Sequence, residues 1–259
     1  MNPYIVAFGM GWYEICLSLS LVIAVFVADK LTIKCGFSVK LQRLFLVGAV
    51  LSVAIGFVGA SLFQAFYDFM ATGVFKIDET TGITFYGGFI VGAAVFLCVW
   101  FFGGKAFKIS AETKEKIGSM ADIAACVVPL AHAIGRIGCF MVGCCHGKQT
   151  NAWYGVNMLT ENGWQTVVPL QLYEAIFLFL LSGVCFWLLF ARKTEQRIPL
   201  LPIYGVSYGV WRFIIEYARG DERGQTIVSF LSPSQLIAVL LIVASIVYFC
   251  VWYQKKKKK

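Results

Sequence analysis

The stretch His132-Ala-Ile-Gly-Arg136-Ile-Gly-Cys139-Phe-Met-Val-Gly143-Cys144-Cys145-His146-Gly147-Lys-Gln-Thr150 places a charged residue at the end of an apolar segment. It also contains both histidines of the chain and three of its nine cysteines. An arginine within an apolar span costs roughly 3 kcal/mol on insertion scales, so it is seldom found there without a partner or a ligand. The stretch therefore predicts a membrane-embedded site that binds an anionic group.

The composition of the whole chain agrees with this interpretation, because 59% of its 259 residues are hydrophobic and only 14% are charged. Such a composition is typical of proteins that cross the membrane several times. We predict an all-α polytopic membrane protein with about seven transmembrane helices, in a single domain over residues 1–259. The apolar stretches are 13–28, 44–66, 85–102, 123–141, 170–190, 203–217 and 236–252.

Two of these stretches are unusual. The stretch 203–217 is short and contains Arg212, and the stretch 123–141 contains Pro129 and several glycines, which predicts a bent or broken helix. The polar segment 105–122 precedes it, and Ser110-Ala-Glu112 predicts the start of a short surface helix there.

The basic residues between the apolar stretches predict the orientation. Sixteen lie in the loops after the first, third and fifth stretches and in the carboxyl-terminal tail, and four lie in the loops on the other side. The positive-inside rule then places the amino terminus outside and the carboxyl terminus in the cytoplasm. The lysine tail, 255–259, follows an aromatic belt and is expected to contact the membrane surface, so we expect no nucleic-acid binding.

Three features of the remaining segments limit the possible functions. The segment 147–168 mixes tryptophan, tyrosine and asparagine, which indicates an outer loop at headgroup level. The amino-terminal apolar stretch has no basic leader and no small-residue cleavage site, so we expect no cleaved signal peptide. Most cysteines lie within apolar stretches, and no disulfide framework follows from them.

Two arginines at membrane depth are the strongest candidates for a functional site. Arg136 either pairs with a carboxylate such as Glu174 or binds a phosphate in two-point geometry. Arg212 and Glu216 are four residues apart and share one helix face, so they form either a self-compensating ion pair or, with Tyr208, a polar stripe that lines a cavity.

The cysteines and histidines around Arg136 allow several interpretations. Cys139, Cys144, Cys145 and the two histidines offer soft ligands, but they lack the paired spacing of common zinc sites, and we expect no metal. A reactive cysteine remains open, because nearby positive charge lowers a thiol pKa. His132 lies one helical turn before Arg136 and is either a structural residue or a proton acceptor.

Three motifs in these regions resemble the signatures of the bacterial phosphatidylglycerol–prolipoprotein diacylglyceryl transferases. The first family signature reads Gly-Arg-x-Gly-Asn-Phe-x-Asn-Gly-Glu-x-x-Gly, against Gly135-Arg136-Ile-Gly138-Cys139-Phe140-Met-Val-Gly143-Cys144-Cys-His-Gly147 in this chain. Pro169-Leu-Gln171-Leu172-Tyr173-Glu174 and Tyr208-Gly209-Val-Trp-Arg212-Phe-Ile-Ile-Glu216-Tyr-Ala-Arg219 are similar to the second and third. The order and spacing of the motifs extend the resemblance over nearly the whole chain.

The resemblance implies an enzyme of the bacterial plasma (inner) membrane without a cofactor. Its donor is phosphatidylglycerol, and its acceptor is a cysteine thiol near the signal peptide of a prolipoprotein. The catalytic residues expected under this interpretation are Arg136, Arg212, Glu216 and Tyr86. His132, which lies outside the quoted motifs, is the candidate for a replacement base. The implied substrate-binding residues are Arg136, Gly138, Cys139, Gly147, Tyr13, Gln171, Tyr173, Glu174 and Tyr208.

The chain departs from the family pattern at positions that bear on the mechanism. The family has His-Gly-Gly where this chain has Tyr86-Gly87-Gly88, and both asparagines and the glutamate of the first signature are absent. A tyrosine, with a reference pKa near 10, is a poor base at neutral pH. A paralogue with a different acceptor, and a lipid or small-solute transporter, therefore stay open as alternatives.

The predicted orientation can be tested by thiol labelling in a variant without the native cysteines. A membrane-impermeant thiol reagent should label Asn162→Cys on intact cells, because the loop 147–168 is expected outside. Lys256→Cys should be labelled only after the cells are opened. The reverse labelling pattern would overturn the orientation.

Overall fold

The computed structural model describes residues 11–77, 84–160, 163–191, 198–220 and 231–257. Its elements fall into two compact units, one of residues 1–24 and 121–259 and one of residues 25–120, and α1 and α5 contribute to both. The helices are α1 Trp12–Lys34, α2 Val39–Thr72, α3 Phe85–Cys98, α4 Gly104–Ala106, α5 Ser110–Val142, α6 Leu170–Ala191, α7 Leu200–Ile215 and α8 Pro233–Lys257. A π-helical turn, Val99–Gly103, joins α3 to α4.

The helices confirm the prediction of an all-α polytopic membrane protein. Among the described residues, six helical segments are long and apolar enough to cross a membrane. They coincide with six of the seven predicted stretches. The stretch 203–217 corresponds to α7, which has 16 residues and continues as a 3₁₀ turn, Glu216–Ala218. Glu216, the last residue of the predicted polar stripe, lies in that turn.

Helix α5 differs from the sequence-based expectation in two ways. It runs for 33 residues from Ser110 to Val142, so the predicted short surface helix at Ser110 is the first part of this long helix. It is also unbroken at Pro129, although the proline removes one backbone hydrogen bond. Close to the proline, the Ser182 hydroxyl of α6 donates a hydrogen bond to the Cys126 carbonyl at 2.8 Å, which connects this part of α5 to α6.

In the unit of residues 25–120, glycines bring α2 and α3 into close contact. A Cβ on Gly56 would lie 2.9 Å from the Gly88 carbonyl oxygen, and one on Gly92 would lie 2.9 Å from the Ser52 carbonyl oxygen. Small residues allow this approach in membrane helices, where packing rather than apolar burial drives association. The amino-terminal end of α2 is held by Glu112, which accepts hydrogen bonds from the Ser38 amide and hydroxyl.

In the unit of residues 1–24 and 121–259, the segment after α5 forms a small β structure. The strands β1 Val156–Thr160 and β2 Gly163–Val167 pair in antiparallel fashion, which adds a hairpin to the expected all-helical fold. Its preceding loop carries Trp153, which is 95% exposed. A tryptophan this exposed is available to lipid headgroups, and the predicted headgroup contact of 147–168 stays a prediction.

The same β structure joins two helix ends. The amide of Lys148 donates to the Ala218 carbonyl at 3.0 Å, and the amide of Gly220 donates to the His146 carbonyl at 3.4 Å. A bridge also pairs Gly147 with Arg219. The residues that follow α5 and those that follow α7 are therefore connected by backbone hydrogen bonds.

Candidate active site

Arg136 and Glu174 form the central ion pair of the site. Arg136 lies on α5 and Glu174 at the start of α6, and their side chains are 12% and 2% exposed. Nε of Arg136 lies 2.8 Å from one carboxylate oxygen, and Nη2 donates a hydrogen bond to the other at 3.2 Å. The fork of the guanidinium thus faces the carboxylate, which leaves Nη1 outside this pair.

Two further predicted residues lie against Glu174. The Tyr208 hydroxyl of α7 donates a hydrogen bond to Oε1 of Glu174 at 3.1 Å. Nε2 of His132 lies 3.9 Å from the same oxygen, and the His132 ring meets the Tyr208 ring edge-on, with centroids 5.4 Å apart. The structure therefore brings four of the predicted site residues together: His132, Arg136, Glu174 and Tyr208.

Arg212 forms a second ion pair one turn further along α7. Its Nη2 lies 2.8 Å from Oε2 of Glu216 and donates a hydrogen bond to the Ser234 hydroxyl at 2.9 Å. The other terminal nitrogen, Nη1, is buried and makes no hydrogen bond with any described residue. A buried guanidinium N–H without an acceptor is costly, so this nitrogen is the natural contact for an anionic ligand.

Arg219, the last residue of the third motif, lies beside the Arg212–Glu216 pair. It is 7% exposed, and its Nε lies 3.9 Å from Oε2 of Glu216. Its backbone is joined to the segment after α5 by the bridge with Gly147 and by the adjoining hydrogen bond from Gly220 to His146. Among the described residues, this cluster contains three arginines and two glutamates, and these five side chains carry one positive charge in excess.

The sequence analysis missed Ser232 and Ser234, which hold the Arg212–Glu216 pair in place. Ser232 donates to Glu216 Oε1 at 2.9 Å, and it caps α8 by accepting from the Gln235 amide. Gln235 accepts in return from the Ser232 amide at 3.0 Å. The run Ser-Pro-Ser-Gln from Ser232 is a capping box, and this sequence signal could have located the start of α8.

Three of the predicted substrate-binding residues, Gly138, Gly147 and Gln171, are packed against other parts of the protein. A Cβ on Gly138 would lie 2.9 Å from Cβ of Cys16, so this glycine lets α1 approach α5. A Cβ on Gly147 would lie 2.8 Å from Cβ of Val168. Gln171 is 1% exposed and donates to the Cys144 carbonyl at 2.7 Å. Their predicted contacts with substrate stay predictions.

Tyr173 and Tyr86 differ from the other predicted residues. Tyr173 is 37% exposed and, within the described parts of the chain, makes no side-chain hydrogen bond with the arginine–glutamate cluster. Tyr86 lies in the first turn of α3, but its side chain is outside the described part of the structure. The predicted roles of both tyrosines stay predictions.

Cys139 lies in a group of three thiols at the end of α5. The sulfur atoms of Cys139, Cys144 and Cys145 are all within 4.8 Å of one another, and Tyr13 of α1 lies close enough to interact with them electrostatically. Hydrogen bonds from the Cys139 and Cys144 thiols, with the charge of Arg219, hold the pKa of Cys145 below its ordinary value. Cys145 also has a positive φ of 62°.

Comparison with known proteins identifies the family. The family model described as prolipoprotein diacylglyceryl transferase matches residues 3–251. The chain belongs to the prolipoprotein diacylglyceryl transferase family. The phosphatidylglycerol–prolipoprotein diacylglyceryl transferase of Clostridium tetani is 32% identical over 245 residues, which cover 92% of this chain and 91% of the relative. The Neisseria meningitidis (serogroup C, FAM18 strain) transferase of that name is 29% identical, over 99% of this chain and 97% of the relative.

Family membership confirms the resemblance that the three motifs indicated. The motifs of this prolipoprotein diacylglyceryl transferase family member lie on α5, on α6 and on α7 with the following turn. They meet in space through the Arg136–Glu174 pair and the Tyr208 hydroxyl. The family resemblance and the geometry therefore identify the same group of side chains as the candidate active site.

The Arg136–Glu174 pair predicts that two substitutions around the Glu174 carboxylate lower the stability of the protein by different amounts. Glu174→Gln leaves the buried guanidinium without a counter-charge, and we expect a loss of about 3–5 kcal/mol of stability. Tyr208→Phe removes one neutral donor and should lower stability by only about 1 kcal/mol. Thermal unfolding of the purified proteins in detergent measures the difference. Equal effects would contradict the importance of the ion pair.

Proposed function

We propose that this protein transfers the diacylglyceryl group of phosphatidylglycerol to the cysteine thiol of a prolipoprotein, near its signal peptide. The relatives named above carry this activity in their names. The observation that supports it most directly is the buried cluster of three arginines and two glutamates. Its single excess positive charge matches the single negative charge of a phosphodiester headgroup.

The chemistry of the proposed reaction explains why arginines are required. The thiolate sulfur attacks the glycerol carbon that bears the phosphate, a carbon–sulfur bond forms, and the carbon–oxygen bond to phosphate breaks. Glycerol phosphate leaves with two negative charges in place of one, so negative charge develops on the departing oxygen. Guanidinium groups fixed in a site without bulk water stabilise that charge strongly.

In this proposal, each arginine contacts a carboxylate with some of its guanidinium nitrogens and the phosphate with another. Glu174 holds Nε and Nη2 of Arg136, while Glu216 and Ser234 hold Nη2 of Arg212. The Nη1 atoms remain for the ligand, and that of Arg212 has no described hydrogen-bond acceptor. We assign leaving-group stabilisation to Arg136 and Arg212, and Glu174 and Glu216 orient them.

The proton of the acceptor thiol needs a receiving group, and His132 is the proposed base. It is 18% exposed, lies beside Glu174 and is one helical turn from Arg136. Glu174 at 3.9 Å would stabilise the imidazolium after proton transfer. Tyr86, at the position of the family histidine, and Tyr13 are proposed to line the pocket without accepting the proton.

The environment of the reaction is part of the proposal. We place the protein in the bacterial plasma (inner) membrane with the segment 147–168 and the amino terminus outside. The exposed Trp153 and the three lysines in the last turn of α8, Lys255 to Lys257, support this placement. No nucleic acid and no cofactor is required for the chemistry described, since the attacking thiol comes from the substrate and the leaving group is stabilised by arginine.

The first test of this function concerns the arginines. Arg136→Lys and Arg212→Lys keep a positive charge, but an ammonium group lacks the planar fork that joins a carboxylate to a phosphate. Transfer to a synthetic peptide with a lipoprotein cysteine, measured by mass spectrometry in phosphatidylglycerol micelles, should fall on the order of 100-fold for each. Arg43→Lys, an exposed residue of α2, is the control and should keep full activity. Near-normal transfer by Arg136→Lys would refute the phosphate contact.

The second test concerns the base and the acceptor. His132→Ala should abolish thioether formation, and Tyr86→Phe should reduce it far less, because a neutral imidazole offers a ring nitrogen that can accept the proton, whereas a protonated phenol is a poor base. If neither substitution changes the rate, the field of the arginines deprotonates the thiol and His132 is not the base. If the unmodified protein binds phosphatidylglycerol but never modifies the peptide, the acceptor differs and the protein is a paralogue.

A further inference from the structure

We propose that Cys139, Cys144 and Cys145 form a binding site for one thiophilic divalent cation such as Zn²⁺, with three sulfur ligands and one open coordination position. The three sulfur atoms lie within 4.8 Å of one another in the structure. Three soft ligands that converge from one helix end and the turn after it are the donor set that zinc-class ions prefer.

The distances fit such an ion after a small adjustment. A zinc–sulfur bond of about 2.3 Å places the sulfur atoms of a tetrahedral site about 3.8 Å apart. The sulfur atoms here therefore need to move together by no more than about 1 Å, which side-chain rotation supplies. No disulfide joins the three residues, so none has to be broken first.

The backbone explains why adjacent cysteines can share one ion. Gly143 and Cys145 have positive φ values of 75° and 62°, so the backbone takes a left-handed conformation at two positions directly after α5. These conformations bring the sulfurs of Cys144 and Cys145 toward Cys139, which lies on the last turn of the helix. The linear spacing, which lacks the usual paired pattern, conceals this convergence.

The surroundings provide both access and charge compensation. Cys144 is exposed, Cys145 is intermediate and Cys139 is 9% exposed, so an ion can reach the group from the surface and become partly buried. A divalent cation with three thiolates carries one negative charge. The positive charges of Arg136 and Arg219 act on Cys145 and would stabilise that complex.

The bound ion should inhibit the proposed transferase reaction, and this consequence rests on the proposed function. Cys139 follows Arg136 by three residues on α5, so the two side chains are neighbours on the helix surface. A negatively charged metal complex there competes with the phosphate for the excess positive charge of the arginine cluster. The site would then serve as a metal-sensitive control of lipid transfer.

Direct titration tests the site without lipid or peptide. Fully reduced, metal-free protein in detergent should bind one equivalent of Zn²⁺ in competition with a chromogenic chelator. Cys139→Ser, Cys144→Ser and Cys145→Ser should each weaken binding at least 100-fold. Cys250→Ser, which removes an exposed thiol of α8, should leave the affinity unchanged. Unchanged binding in the three variants, or equal loss in the control, would overturn the site.

A second measurement on the unmodified protein avoids any effect of substitution on folding. Alkylation followed by mass spectrometry should show that Zn²⁺ slows modification of Cys139, Cys144 and Cys145 at least tenfold, with Cys35 and Cys250 unaffected. Equal modification with and without the ion would refute the proposal.

Inhibition is then measured as a loss of peptide lipidation when Zn²⁺ is added, which a chelator should restore. An absent lipidation activity with intact Zn²⁺ binding would refute the proposed function and leave the metal site standing.

Discussion

The charges that this chain places among apolar helices must be compensated inside the protein, because the hydrocarbon of a membrane cannot solvate them. Glu174 compensates Arg136, and Glu216 compensates Arg212 and lies near Arg219. Removing one partner of such a pair leaves an uncompensated buried charge, which lowers the stability of soluble proteins by about 3–5 kcal/mol. The packing of α5, α6 and α7 around these groups is therefore restricted to arrangements in which the side chains meet.

The same requirement explains the residues that surround the pairs. Tyr208 supplies a donor to Glu174, and Ser234 supplies an acceptor to Arg212. Ser232 donates to Glu216 and also caps α8, so the start of that helix and the orientation of the carboxylate depend on one side chain. Side chains that are held by such hydrogen bonds keep a single geometry, which a site for charge stabilisation requires.

The family membership and the departures of this chain from the family pattern belong together. The arginines, Glu216 and Glu174 of the motifs are present and meet in space, whereas an asparagine and the glutamate of the first signature are replaced by Cys139 and Cys144. These two replacements and Cys145 converge at the end of α5. The proposed headgroup site thus keeps its cationic part, and the adjoining part has become a group of thiols.

Sequence alone determined the class of fold and much of the site, because those properties depend on local patterns. Runs of apolar residues are sufficient to predict spanning helices. A spacing of four places Arg212 and Glu216 on one helix face without knowledge of the rest. The motifs then identified Arg136, Glu174 and Tyr208 through family resemblance. The sequence also indicated that Arg136 could pair with Glu174, but it could not decide between this ion pair and binding of a phosphate by Arg136.

Only the tertiary structure decided how distant segments combine. Arg136 and Glu174 are 38 residues apart, and Arg212 and Ser234 are 22 apart, so no periodicity links them. The long helix from Ser110 was predicted in two parts, because its polar beginning and Pro129 resemble helix boundaries in a local window. Burial of Arg219 and convergence of the three cysteines depend on backbone turns and strand bridges after α5. These contacts arise from packing between helices and strands that are far apart in the sequence, so no short stretch of the chain determines them.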